Sequence, residues 1–315
     1  MNKQTLGIHH ITAIVGDPQE NVDFYTNVLG LRLVKRTINF DDPGTYHFYF
    51  GDEEGTPGTI ITFFPWSGAH QGVIGDGQVG VTTYAVPTGA LSFWAERLSS
   101  YNVPCEKINR FGEEILSFAD PHGLKLELVE RAERLSNTWS FNGVPSDMAI
   151  QGFAGAVLYS AAPEQTAHLL EKVMGLEKAA EEVDYTRFRS RGDIGNTVDI
   201  KKASSGRGRM GVGTVHHIAW RADDDKDQLE WRGYLEENGY RATPVQPRQY
   251  FNSIYFRERG HILFEIATDE PGFLIDERKE SLGAELKLPE WYEPQREKIE
   301  QLLQPIEVRE TDKKE

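Results

Sequence analysis

The chain has 315 residues and a net charge of −15, from 34 Lys and Arg against 49 Asp and Glu. That length suits two domains, or one duplicated domain, with a substantial core. The acidic balance excludes a nucleic-acid role, because phosphate binding needs basic patches, and no run approaches the roughly 20 apolar residues of a membrane span. A single cysteine, Cys105, allows no internal disulfide. No basic-then-apolar leader precedes the first strand, so the expected location is the cytoplasm.

Four units of one plan follow one another: a strand, a helix, then further strands. The first opens at Gly7-Ile8-His9-His10-Ile11-Thr12-Ala13, apolar and β-branched around a histidine pair. Asp17-Pro18 supplies a helix cap and a first-turn proline. Val22, Tyr25, Val28 and Leu29 follow, and Gly30 stops the helix. Strands are expected over 31–39, 46–50 and 59–64. The second unit opens over 80–86. Pro87-Thr88 starts a helix to about Tyr101, with Leu91, Trp94, Ala95 and Leu98 on one face. Its last strand is 124–129, after the turn Asp120-Pro121-His122-Gly123.

The stretch 133–151 is polar and aperiodic and reads as a linker. The third unit opens over 153–159, with a helix from Pro163 to Gly175. Val173-Met174-Gly175-Leu176 there echoes Val28-Leu29-Gly30-Leu31. The fourth opens at Thr214-Val215-His216-His217-Ile218-Ala219-Trp220, a near twin of the first strand. A helix over 225–238 and a final strand over 262–268 complete it. In the charged tail beyond Gly272, 291–304 is expected to form an amphipathic helix using Trp291, Ile299 and Leu302, with 307–315 frayed.

Unit starts near residues 7, 80, 152 and 213 describe internal duplication. The expected fold is α+β: four βαβββ modules in two tandem domains. Residues 1–132 hold modules one and two, 133–151 link them to 152–272 with modules three and four, and 273–315 form the tail. Paired sheets then curve into half-open barrels with helices outside and a cavity within. Exposed sheet edges and the tail favour a homo-oligomer.

Neighbouring strand residues point to opposite faces, so one histidine of each pair looks into the cavity while the other satisfies its ring elsewhere. One histidine from each pair plus a carboxylate would hold a metal ion. Glu265, in Leu263-Phe264-Glu265-Ile266-Ala267, draws attention by itself, because burying an unpartnered charge is costly. Glu127, in Leu126-Glu127-Leu128, is its counterpart in unit two. Thr82 and Thr83 stand there where histidines would be needed, so Glu127 reads as a relic or a salt-bridge partner. His47, His70 and His122 read as non-ligands. Tyr46, Phe48, Phe50, Phe63, Phe64 and Trp66 either line an aromatic-substrate pocket or fill the core.

Repeated strand–helix–strand units, with a histidine in the opening strand and a glutamate in the closing one, resemble the vicinal oxygen chelate superfamily. Within it, Leu33-Val34-Lys35-Arg36-Thr37, Tyr46-His47-Phe48-Tyr49-Phe50, Gly55-Thr56-Pro57-Gly58-Thr59 and Ser281-Leu282-Gly283 resemble the hydroquinone-type ring-cleaving dioxygenases. The resemblance implies His10, His217 and Glu265 as ligands of Fe(II), with Mn(II) also accepted by this donor set. It implies insertion of both atoms of O2 into a small aromatic substrate, in detoxification or catabolism. It also implies roles near the metal for His9, His216, Thr12, Arg248 and Tyr255. From the residues alone, Tyr255 is a proton donor or a packing residue, and Arg248 stabilises negative charge or lies at the surface. The rival readings are an ortho-diol dioxygenase, a glyoxalase-type metal isomerase or transferase, and a non-enzymatic protein that sequesters a ligand. One matching carboxylate disfavours the isomerase, and the histidine pairs disfavour the sequestering protein.

Overall fold

The computed structural model describes residues 3–132 and 139–309. Within the expected linker 133–138 lie outside the described residues, as do 310–315 of the tail. All four modules have the βαβββ order. Module one is β1 (Ile8–Val15), α1 (Pro18–Asp23), β2 (Arg32–Asn39), β3 (Asp42–Gly51) and β4 (Ile60–Pro65). Module two is β5 (Gln78–Pro87), α2 (Leu91–Ser100), β6 (Cys105–Arg110), β7 (Glu113–Ala119) and β8 (Lys125–Arg131). Module three is β9 (Gly152–Tyr159), α3 (Pro163–His168), β10 (Glu177–Glu181), β11 (Tyr185–Arg189) and β12 (Thr197–Lys201). Module four is β13 (Thr214–Ala222), α4 (Asp225–Glu237), β14 (Gln246–Pro247), β15 (Phe251–Arg257) and β16 (Leu263–Pro271). A short helix, α5 (Arg296–Leu302), lies in the tail.

Local chemistry explains the boundaries. The Asp17 side chain accepts from the Glu20 amide at 2.9 Å and caps α1. The helix widens into a π-turn over Phe24–Val28 and stops at Gly30, whose φ is +68°. A Cβ at Gly30 would sit 2.7 Å from Val144 Cγ2, so the stop also allows a close approach. The third module repeats the device, with a π-turn over Leu169–Val173 and Gly175 at φ +74°. Helix α2 starts later than expected, because Pro87 ends β5 and Gly89 (φ +88°) makes the turn.

Two curled eight-stranded sheets form the half-open barrels. The first runs β14-β15-β16-β13-β1-β4-β3-β2 and joins module four to module one through the antiparallel pair β1–β13. The second runs β10-β11-β12-β9-β5-β8-β7-β6 and joins modules three and two through β5–β9. Each barrel therefore draws on both halves of the chain. Trp94 of α2 and Trp231 of α4 are fully buried against the sheets. Among the described residues no helix is long and apolar enough to cross a membrane.

The tail differs from its expected form. Helix is confined to α5 and a preceding turn over Glu293–Gln295. Ile299 is buried, but Trp291 and Leu302 are 58% and 62% exposed. Trp291 rests on Phe40 at 5.7 Å instead, and Tyr292 donates to the Phe40 carbonyl at 3.0 Å. Glu307 is paired with Gln19 of α1 through its backbone amide and carbonyl. Residues 139–151 also pack more closely than their polarity suggests: Val144, Ala149 and Ile150 are buried.

Both central strand pairs carry the same irregularity. The β1–β13 register skips His9 and His216, and the β5–β9 register skips Gly80 and Ala154. Each skipped residue is the extra one of a β-bulge. In the second barrel the concave face is closed by charge pairing. Arg110 holds Glu127 through two contacts, of 3.0 and 2.6 Å, and Asp199 at 2.8 Å, while Arg187 takes the other Asp199 oxygen at 2.7 Å. Glu127 is thus a salt-bridge partner. Removing Arg110 would leave the buried Glu127 carboxylate with only the Thr83 hydroxyl. We expect Arg110→Met to lower stability by about 3–5 kcal/mol, seen as a reduced urea midpoint. Lys107→Met, which removes an exposed pair on the same strand, should change it by less than about 1 kcal/mol.

Candidate metal centre and its cavity

The bulges bring the two histidine pairs into one plan. Beyond them, His10 lies opposite Ala219 and Thr12 opposite His217 across the antiparallel β1–β13 pair. Ala219 is level with Glu265 on the parallel neighbour β16. Opposite residues and residues two apart share a face, so His10, Thr12, His217 and Glu265 all face the concave side. Their donors converge. His10 Nε2 is 3.2 Å from His217 Nε2, and Glu265 Oε2 is 3.5 and 2.8 Å from these two nitrogens. All three side chains are buried.

The remaining ring nitrogens are used within each pair. His10 Nδ1 lies 2.9 Å from His9 Nδ1, and His217 Nδ1 lies 2.7 Å from His216 Nδ1. Strand alternation alone would separate such neighbours; the bulges at His9 and His216 let them meet. The expectation that the first histidine satisfies its ring elsewhere is corrected to that extent. When the ligand-side imidazole carries its proton on Nδ1, its Nε2 lone pair is left bare and aimed at the common point.

Electrostatics at this point favour a cation. Burial lowers the proton affinity of His217, against the pull of Glu265, and lowers that of His9 and His47 well below the ordinary value. Burial pushes Glu265 up, but the imidazoles beside it carry its carboxyl well below the usual carboxylate range, so it is ionised. Its Oε2 is buried and has no aligned hydrogen bond, although both imidazoles are near. An orphaned buried carboxylate oxygen flanked by two bare imidazole nitrogens fits a divalent ion such as Fe(II), Mn(II) or Zn(II).

The converging donors open onto a cavity of about 490 Å³. His47, Tyr49, Phe64 and Trp66 form one wall, and Arg248, Phe251 and Tyr255 the other, with the hairpin tip Asn39–Asp42 at the mouth. Tyr255 stands 5.6 Å edge-on to His217, and Arg248 Nε donates to its hydroxyl at 3.3 Å. Burial and the Glu265 charge push the Tyr255 phenol up, so it keeps its proton. Thr12 Oγ1 bonds Thr62 Oγ1 at 2.7 Å. The expected aromatic cluster divides: Tyr46, Phe48, Phe50 and Phe63 are core, while Phe64 and Trp66 line the cavity.

His216 lines the cavity, and His9 lines a smaller one that shares Phe251 with it. His47 is outside the converging donors, with Nε2 on Thr62 at 2.8 Å and Nδ1 on Tyr49 at 2.9 Å. His70 bonds the Met210 carbonyl, and His122 meets the Gly16 amide. Phe251 and Ser253 were not singled out from the sequence. Both lie at two-residue steps from Tyr255 on β15, which is the signal that places them on its face.

In the second barrel, with module two laid on module four and module three on module one, the residues after the bulges, in the places of His217 and His10, are Val81 and Gly155. Register therefore puts Val81, and not Thr82 or Thr83, in the place of a ligand histidine, His217. Glu127, level with Thr83, occupies the place of Glu265, as the repeat led one to expect, and Asp199, level with Val157, occupies that of Thr62. Two carboxylates and no imidazole remain there, and Arg110 supplies the cation.

The family model described as Glyoxalase/Bleomycin resistance protein/Dioxygenase superfamily matches residues 7–128 and 152–275. A Bacillus subtilis (strain 168) protein named provisionally as the ring-cleaving dioxygenase MhqO is 65% identical over 99% of this chain and 100% of its own. The chlorohydroquinone/hydroquinone 1,2-dioxygenase of Sphingobium indicum is 34% identical over 90% of this chain and 91% of its own. A crystal structure of a provisionally named dioxygenase from Bacillus subtilis superposes with a TM-score of 0.97 at 65% identity, covering 98% of this chain and 99% of that one.

The buried histidines make acid stability a direct readout. His216, held down by burial and by His217, has a folded pKa of about 3 against an ordinary 6.5. The unfolded chain therefore binds more protons than the folded one below about pH 6.5, so stability falls as pH drops from there towards about 3. Each such histidine contributes a slope of up to roughly 1.4 kcal/mol per pH unit. Urea midpoints of the metal-free protein should fall steadily from pH 7 to pH 5; a flat profile would contradict the neutral, buried assignment.

Proposed function

The chain belongs to the glyoxalase/bleomycin resistance protein/dioxygenase superfamily and, with its relatives, to the ring-cleaving dioxygenases within it; from that premise we propose that its substrate is a hydroquinone-type aromatic diol and its ion Fe(II). The observation that carries the reading is the convergence of His10, His217 and Glu265 at the base of an aromatic-walled cavity. Bound there, the ion would hold substrate at open positions and let ring electrons reach O2, which reacts slowly with closed-shell molecules otherwise.

The chain's own residues supply the rest. His9 and His216 orient the ligand imidazoles through their Nδ1 contacts. Phe64, Trp66 and Phe251 exclude water and pack on the flat ring. Tyr255, protonated and held by Arg248, donates towards negative charge that develops on oxygen, and the guanidinium adds its own field. Thr12, on the face of His10, fixes the β1–β4 side of the cavity floor through Thr62. A para-diol offers the ion only one hydroxyl, which suits a site whose other polar groups stand on the walls. The biological setting that fits is aromatic or quinone detoxification or catabolism in the cytoplasm.

The reading is tested by loading the protein with Fe(II) without air and following O2 uptake. Methylhydroquinone should consume about one O2 per molecule, and Glu265→Ala should abolish the uptake. Catechol consumption alone would move the substrate to ortho-diols, and no uptake with either diol would overturn the dioxygenase reading. Tyr255→Phe should lower kcat by about 10²–10⁴ with a smaller change in KM. An unchanged kcat would return Tyr255 to a packing role.

A further inference from the structure

Ser253 is a fully buried serine to which the reaction as described gives no task. On β15 the register sets Tyr255 opposite Glu265 and Ser253 opposite Ala267. Ser253, Tyr255 and Glu265 therefore share the concave face, with Ser253 diagonal to Glu265. The Ser253 hydroxyl donates to Glu265 Oε1. The other oxygen, Oε2, is the one turned to the imidazoles, 2.8 Å from His217 Nε2 and 3.5 Å from His10 Nε2, with no aligned hydrogen bond of its own. The two oxygens of one carboxylate are thus given different work.

A carboxylate can grip an ion through one oxygen or through both. With two imidazoles and one oxygen, a six-coordinate ion keeps three positions for other ligands; with both oxygens it keeps two. We infer that Ser253 is a positioning residue that occupies Glu265 Oε1, restricts the carboxylate to one-oxygen ligation and so keeps the third position open. This rests on the reading of His10, His217 and Glu265 as metal ligands. Without the serine hydroxyl, Oε1 would be a buried anionic oxygen with no donor, a costly state. The nearest relief is the point that Oε2 already faces. A serine with a purely structural task would satisfy Oε1 and leave the coordination of the ion unchanged.

The test uses Co(II) with acetohydroxamate, which takes two positions, and then azide, which needs the third; the Co(II) visible bands report each ligand as it binds. Ser253→Ala should take up Co(II) and acetohydroxamate no more weakly than the parent, but its hydroxamate complex should bind azide about tenfold more weakly or worse than the parent's. Ser253→Cys keeps the volume with a much poorer donor and should move in the same direction, which covers an alanine variant that fails to fold. Parent-like azide affinity of the hydroxamate complex in either variant, with or without lost Co(II) affinity, would overturn the inference. A parent protein that takes up no Co(II), or a Glu265→Ala variant that takes it up undiminished, would overturn the ligand reading instead.

Discussion

Glu265 is an ionised carboxylate with no exposed surface, and the organisation of the first barrel follows from how that charge is met. Water cannot solvate it. Ser253 meets one oxygen, and the other faces two imidazoles whose outer nitrogens are engaged by neighbouring histidines. Burial keeps His217 from carrying a full positive charge, so the set has a deficit that a divalent cation removes. The deficit can exist only because two modules at opposite ends of the chain share one sheet. Without the β1–β13 pairing, His10 and Glu265 would belong to separate surfaces.

The second barrel solves the same problem with protein alone. Its modules keep the bulges, the register and the inward carboxylates, but Val81 and Gly155 stand where the imidazoles would be, and a guanidinium fills the space. One duplicated frame therefore holds an internally neutralised half and a half poised for an ion. The first confers stability independent of any ligand. The second keeps room for chemistry, at the cost of a charge set that is incomplete without a cation.

The repeat was legible from the sequence because each module keeps its own signals: a cap such as Asp17, a stop such as Gly30 or Gly175, and β-branched opening strands. The ligand set was legible because two His-His strands and a glutamate in an apolar strand are both unusual. Which modules pair could not be read from local pattern, since all four present similar edges. The bulges were hidden too, because a skipped residue such as His9 looks like any other strand residue until its partner strand is known. Period-two counting then gave the wrong environment for its ring. Ser253 and Phe251 carried only their spacing from Tyr255, and Arg110 had no sign that it lies beneath Glu127. The expected tail helix failed at Trp291, which packs on the hairpin at Phe40 instead of continuing a helical stripe.

The most direct test of this account is a crystal soaked in Mn(II), with diffraction recorded at energies that reveal the ion. One strong peak per chain is expected, bounded by His10 Nε2, His217 Nε2 and Glu265 Oε2, and none between Val81, Gly155 and Glu127 in the second barrel. A peak elsewhere, or an empty point between the three donors at saturating Mn(II), would contradict it.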